Sequence, residues 1–343
     1  MVDMPTQPVA HLELRFDMRR PAWTGVTEKA LYESCLEMCA WSEDNGFESV
    51  TLAEHHITDD HYMSSPIVLG SSVAARTTRL AIRMIILAPF YNPLRLVEDL
   101  RQLAVISGGR SLPVISCGYR KVEFEAYGAR REDRLIAIDE VFELARQAES
   151  GAPFSYRGRA ISNLSPAPDT PLRMLMGASF PRVARRAAHN GADGVSPNID
   201  ALFDIYREEI VKLGKPDPGP FPVTAARYVH VAEDVEEGWR EIGPHLLYWV
   251  NSYKGYTQDL GGGSLLSFAA SGDVGALRAS DDYMVVTPAQ LVDHMNAIDR
   301  DTIYQFWPLM AGLDPALGWK SLKLLQEKVL PNVRIGQNFR PLY

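Results

Sequence analysis

Gly46-Phe47-Glu48-Ser49-Val50-Thr51-Leu52-Ala53-Glu54-His55-His56 is the stretch that decides how this chain folds. Asn45-Gly46 stops a preceding helix, and the short run from Ser49 to Ala53, with its β-branched residues, predicts a strand covered on both faces. The strand ends in three ionisable side chains, Glu54, His55 and His56, with Asp59, Asp60 and His61 just beyond. A buried strand emerging into such a cluster predicts a site at the carboxyl end of a parallel barrel.

The same strand-then-helix rhythm extends both ways from this stretch. Strands are expected at 11–18, 49–53, 80–87, 112–116, 173–176, 194–196, 223–231 and 302–307. Helices are expected at 27–44, 66–76, 94–106, 131–149, 181–190, 201–213, 235–253 and 315–330, with a short hairpin at 154–163. Gly243-Pro244 should kink the helix that contains it. Eight strands, no internal repeat and no linker predict an α/β fold, one (β/α)₈ TIM barrel domain over residues 1–343 with insertions. Residues 255–286, rich in glycine and without a clear period, are expected to form a mobile lid loop.

The 343 residues are 46% apolar, enough for a large core, and the net charge of −8 is spread along the chain, which gives no footprint for nucleic acid or an anionic membrane. The longest apolar runs are far too short to span a bilayer, and no secretory signal is visible at the N-terminus. Three cysteines, Cys35, Cys39 and Cys117, cannot build a disulfide framework, so a soluble cytoplasmic protein is expected.

Metal ligands on one face of a strand need spacing i, i+2, whereas His55 and His56 are adjacent; no catalytic metal is expected. Cys35 and Cys39 share the apolar face of a helix and read as packed thiols. Phosphate-loop and Gly-x-Ser-x-Gly patterns are absent. Gly177-Ala178-Ser179, leading into a helix at Pro181, suits a phosphate held on backbone N–H groups with Ser179 and Arg182 as side-chain donors; an ordinary capped helix suits it equally. Met18, Phe90, Tyr119 and Trp307 fall at strand ends, where they could wall a pocket or simply pack the core.

Several motifs together resemble the bacterial luciferase-like monooxygenases: Phe16-Asp17-Met18-Arg19, the Gly46 to His56 stretch, Ala75-Arg76-Thr77-Thr78-Arg79-Leu80, and Asn92-Pro93-Leu94-Arg95 with Glu98-Asp99-Leu100. Ser107-Gly108-Gly109-Arg110 and Glu123-Phe124-Glu125-Ala126-Tyr127-Gly128 continue the resemblance. It implies a flavin-dependent enzyme that takes reduced FMN from a separate NAD(P)H:flavin reductase, uses oxygen on a small apolar substrate, and pairs as a homodimer. The 5-deazaflavin coenzyme of related proteins is the alternative cofactor, with hydride transfer as its reaction, and a catalytically silent flavin-binding protein is a further alternative. Carried over by position, the resemblance gives His55 the proton role, with Glu54 and His56 beside it. It places Met84 and Ile85, a pair often joined by a cis peptide in the family, against the flavin ring with Ser116 and Tyr119. Arg134, Gly177, Ala178, Ser179 and Arg182 are left for the phosphate. Two departures bear on that phosphate: Cys117 stands where the family usually has arginine, and Phe180 where a small hydroxyl residue is common.

Overall fold

The computed structural model describes residues 7–167, 169–197, 199–262, 264–265 and 272–336. In chain order β1 (Ala10–Phe16) leads to α1 (Glu28–Asp44), β2 (Ser49–Leu52) to α2 (Pro66–Arg76), and β3 (Ala81–Leu87) to α3 (Pro93–Ser107). β4 (Ser111–Ser116) is followed by a short α4 (Lys121–Tyr127), α5 (Arg134–Glu149) and the antiparallel hairpin β5 (Phe154–Tyr156) and β6 (Arg159–Ile161). Then come β7 (Leu175–Gly177), α6 (Pro181–Asn190), β8 (Val195–Ser196), α7 (Asp200–Lys212), β9 (Val223–Val231) and α8 (Val235–Thr257). The chain ends with α9 (Val274–Arg278), β10 (Tyr283–Val286), α10 (Pro288–Asn296), β11 (Thr302–Phe306) and α11 (Pro315–Leu324).

All eight expected strands form, in one parallel sheet ordered β10-β9-β11-β1-β2-β3-β4-β7-β8, the circular order of a TIM barrel with one strand added. Among the described residues the ladder is open between β8 and β10. The added strand corrects the reading of 255–286 as one loop. α8 runs on to Thr257, and Tyr283–Val286 pairs in register with Tyr228–Val231. β-Branched and aromatic residues beside an unpaired strand edge favour the ladder over a loop. Residues 263 and 266–271 of the expected lid lie outside the described residues. α4 is an element for which the sequence reading assigned no structure; Gly128 closes it with a left-handed cap.

The strands bury both faces, as the period-2 geometry of a parallel sheet requires. On β1, Leu12, Leu14 and Phe16 join the core between sheet and helices. Their alternates line the barrel with charge. Glu13 accepts hydrogen bonds from the Thr51 hydroxyl and from Gln305 (2.9 Å), and faces Arg83 at 3.5 Å and Arg15 at 3.7 Å. Burial alone would raise the Glu13 carboxyl; Arg15 and Arg83, with those two donors, outweigh it and hold it below the usual value.

Behind the last strand, α11 packs onto the chain that leaves β11. A Cβ on Gly318 would lie 2.2 Å from the Pro308 carbonyl oxygen, a contact that only backbone movement could relieve. Gly318→Ala should therefore lower stability by about 1–3 kcal/mol, the range of overpacked cores. A urea midpoint equal to wild type would show that this contact is looser than described.

Candidate active site

β2 delivers Glu54, His55 and His56 to the carboxyl end of the barrel, all at least nine-tenths buried. The two histidines turn to different neighbours. His56 is tied at both nitrogens: Nε2 to Glu54 at 2.7 Å and Nδ1 to the Tyr127 hydroxyl at 2.9 Å. Glu54 also accepts from the Tyr91 hydroxyl and the Leu87 amide, each at 2.8 Å. Phe90 stacks on Tyr127 at 4.8 Å and meets His56 edge-on.

His55 lies among Tyr62, Tyr119, Tyr253 and Tyr256. Its Nδ1 meets Glu123 Oε1 at 2.9 Å, and its Nε2 has a longer contact, 3.2 Å, with the Tyr119 hydroxyl. Glu123, on α4, also accepts from the His56 amide (2.8 Å) and Arg120 (3.1 Å). Burial would raise the Glu123 carboxyl, but His55, the His56 amide and Arg120 together keep it below its ordinary value. An ionised carboxylate can only accept, so His55 donates from Nδ1, and in the neutral imidazole Nε2 is then the acceptor facing Tyr119. Burial pushes the Tyr119 phenol up, so it stays protonated and donates to Nε2.

Beyond these tyrosines, the segment leaving β1 contributes Asp17 and Arg19. Arg19 Nε grips Asp60 at 2.5 Å, and Asp60 also accepts from the Tyr248 hydroxyl at 2.9 Å. Asp17 accepts the Arg19 amide at 3.2 Å. Three non-glycine residues here have left-handed backbones: Met18 (φ 56°), Ile57 (φ 52°) and His61 (φ 54°).

The remaining expected residues divide. Ile85, Ser116, Tyr119, Gly177, Ser179 and Phe180 keep partial solvent access between buried neighbours, which marks an opening at the ends of β3, β4 and β7. Gly177 passes so close to Ser116 that a Cβ would sit 2.0 Å from its hydroxyl oxygen. Ala178 is buried, and the Ser179 carbonyl accepts the Leu265 amide at 2.8 Å. Arg134, first residue of α5, lies with Arg131 near the Cys117 thiol, where both oppose the upward push of burial. Arg182 is exposed, 5.2 Å from the Phe180 ring. Trp307 donates to the Arg227 carbonyl at 2.9 Å and carries the Arg15 guanidinium over its ring.

Two placements are corrected. Met84 points away from the barrel towards α2, where a Cβ on Gly70 would come within 2.5 Å of its sulfur, and the Met84–Ile85 peptide is trans; strand parity puts Ile85 inside instead. Met18 is 1% exposed within the core, and its neighbours Asp17 and Arg19 enter the site in its place.

The sequence reading gave no site role to Glu123, Tyr127, Tyr91, Asp17, Arg19 and the tyrosines of α8. Trp249, Tyr253 and Tyr256, spaced i, i+4, i+7, form an aromatic stripe that could have been found.

Glu123, His55 and Tyr119 thus form a buried carboxylate–histidine–tyrosine chain at the carboxyl mouth of a (β/α)₈ barrel. The sequence profile of the luciferase-like monooxygenases matches residues 17–295, and the chain belongs to that family. It is 31% identical to the alkanal monooxygenase alpha chain of Photobacterium phosphoreum over 116 residues, 34% of this chain and 33% of that one. The chain spans only 64%, 49% and 28% of the lengths of three curated relatives that it matches. Among solved structures it resembles the oxygenating constituent of 3,6-diketocamphane monooxygenase from Pseudomonas putida, in complex with FMN (TM-score 0.69, 16% identity, 96% of this chain and 100% of that one). An F420-dependent secondary alcohol dehydrogenase in complex with an F420-acetone adduct is also similar (TM-score 0.65, 16% identity, 95% and 99%). Among the described residues no helix is long and apolar enough to cross a membrane.

Asp17 yields a pH prediction. Burial lifts its carboxyl to about 6, Arg19 opposing only in part and Asp60 adding to the rise. A raised carboxyl stabilises the fold below its unfolded value near 3.8, and that contribution is lost as pH rises through about 6. Asp17→Asn removes the loss, so the variant should gain up to about 3 kcal/mol on wild type between about pH 4 and about pH 7. Urea unfolding at a series of pH values measures it; parallel curves for the two proteins would refute the shift.

Proposed function

We propose that this protein is a monooxygenase that takes reduced FMN from a separate NAD(P)H:flavin reductase and uses oxygen to oxygenate a small organic substrate with an apolar body. The observation that carries this reading is His55, buried at the mouth with Nδ1 fixed by Glu123 and Nε2 left to one long contact with Tyr119. His56, by contrast, has both nitrogens held at short distance and serves the frame.

The residues fit the cofactor. The opening at Ile85, Ser116 and Gly177 would line the flavin ring, and Ser179 with Arg131 and Arg134 would hold the phosphate. Arg131 Nε is buried without a hydrogen-bond partner there, and the two arginines restore the charge that Cys117 removes. When bound, reduced flavin supplies the electrons that activate oxygen. The chain's part is to exclude water with the Tyr62, Tyr119, Tyr253 and Tyr256 rings and to move one proton at His55 Nε2 through Tyr119.

His55→Ala should reduce turnover about 10²-fold or more, the usual scale for general acid–base catalysis, and Tyr119→Phe should reduce it less. His56→Ala should chiefly lower stability, by about 1–3 kcal/mol, because Glu54 and Tyr127 lose a buried partner. Equal losses of turnover at the two histidines would overturn the assignment. The similarity to the F420-dependent dehydrogenase supports a second reading, hydride transfer with a deazaflavin. Titration with FMN and with F420, followed by turnover without oxygen, separates the two: anaerobic activity with F420 sinks the monooxygenase reading.

Homodimerisation belongs to the same proposal. Val68 on α2 and Val105 and Ile106 on α3 are exposed on adjacent helices. Sedimentation at micromolar concentration should give about twice the chain mass of 38.2 kDa, and a monomer would refute the pairing.

A further inference from the structure

A second set of buried charges gathers where the chain leaves β1, and the proton relay does not use it. Arg19 is 0% exposed. Asp60 occupies its Nε, Nη2 has only a 3.4 Å contact with the Tyr256 hydroxyl, and Nη1 is buried with no hydrogen-bond partner. Tyr62, Tyr248, Tyr253 and Tyr256 set their rings 5.1–5.7 Å from the guanidinium. A buried donor with no acceptor carries a desolvation penalty of about 1–3 kcal/mol, more for a charged group, unless something arrives to accept it.

We propose that Arg19 is the substrate anchor, its Nη1 and Nη2 groups binding the oxygen of a neutral carbonyl compound whose body packs on the tyrosine rings. Three observations select this chemistry. The free N–H groups demand an acceptor, which a hydrocarbon lacks. Asp60 is bonded to this guanidinium and Asp17, which holds the Arg19 main-chain amide, also acts on its charge, so an anionic ligand would bring a third negative charge to it, whereas a carbonyl adds none. The flat aromatic surroundings suit a planar or cyclic body. Arg131 and Arg134 lie near Cys117, after β4, whereas Arg19 follows β1, and β2 with His55 stands between those two strands in the sheet. The anchor deepens the oxygenase reading by naming its substrate class, and it rests on that reading only for the reaction.

The test is binding, measured by ligand-observed NMR on the full chain, without flavin and again with FMN. Acetophenone, ethylbenzene and benzoate serve as carbonyl, apolar and anionic probes of similar size. Acetophenone should bind about tenfold or more tightly than ethylbenzene, and benzoate no better than ethylbenzene. Arg19→Lys should weaken acetophenone about tenfold and leave ethylbenzene unchanged. Tyr256→Phe, which removes only the long contact and leaves the Asp60 pair in place, should keep or strengthen the carbonyl preference. Equal binding of the first two probes by wild type, no binding of any probe, tightest binding of benzoate, or a loss of preference in Tyr256→Phe would each overturn the anchor. A protein that prefers acetophenone yet binds no FMN keeps the anchor and loses the oxygenase reading.

Discussion

Glu123 Oε1 accepts three hydrogen bonds beneath the turn after β2: from His55 Nδ1, from the His56 main chain and from Arg120. Each does a different job. The first fixes which nitrogen of His55 faces the mouth, the second holds the backbone so that the next ring turns the other way, and the third ties in a guanidinium that also binds the His56 carbonyl at 2.6 Å. With the charge of Glu123 removed, the tautomer of His55 and the direction of His56 would both lose their determinant. Charge-assisted bonds to one buried oxygen are strong because little water competes for them.

The floor beneath that turn is also polar. Glu13 and Arg15 alternate on the inward face of β1 and Asp17 follows directly after it, so this stretch carries charge from the barrel centre towards its carboxyl end. Thr51, Arg83 and Gln305 satisfy Glu13 from three other strands. Breaking one member of such a set leaves an unpaired buried charge, typically about 3–5 kcal/mol of destabilisation. The apolar packing that holds the barrel lies between strands and helices, while the interior holds the side chains of the site in fixed positions.

This division explains what the sequence could reveal. The eight strands were legible because each is a short apolar run between turn signals, and the Glu54-His55-His56 cluster because it interrupts one. Glu123 and Arg19 lay inside stretches that carried the family resemblance, yet no local pattern said that α4 and β1 would bring them to His55, 68 residues away in the case of Glu123. Met84 was misplaced for a simple reason: a strand buried on both faces has no polar alternation to show which residues point inward. β10 was missed because glycine-rich neighbours concealed a four-residue strand.

Ile57, directly after the two histidines, holds a left-handed backbone (φ 52°) that a β-branched residue adopts only under constraint. Arg120 supplies that constraint by donating to the carbonyls of His56 and Ile57. With Met18 and His61 in the same region of backbone space, three strained residues border one mouth, each storing about 1–3 kcal/mol. The rim of this barrel is therefore under tension while its walls are relaxed. Substitutions chosen to stabilise the chain by relieving that tension will act on backbone next to the Glu54-His55-His56 and Asp17-Arg19 side chains.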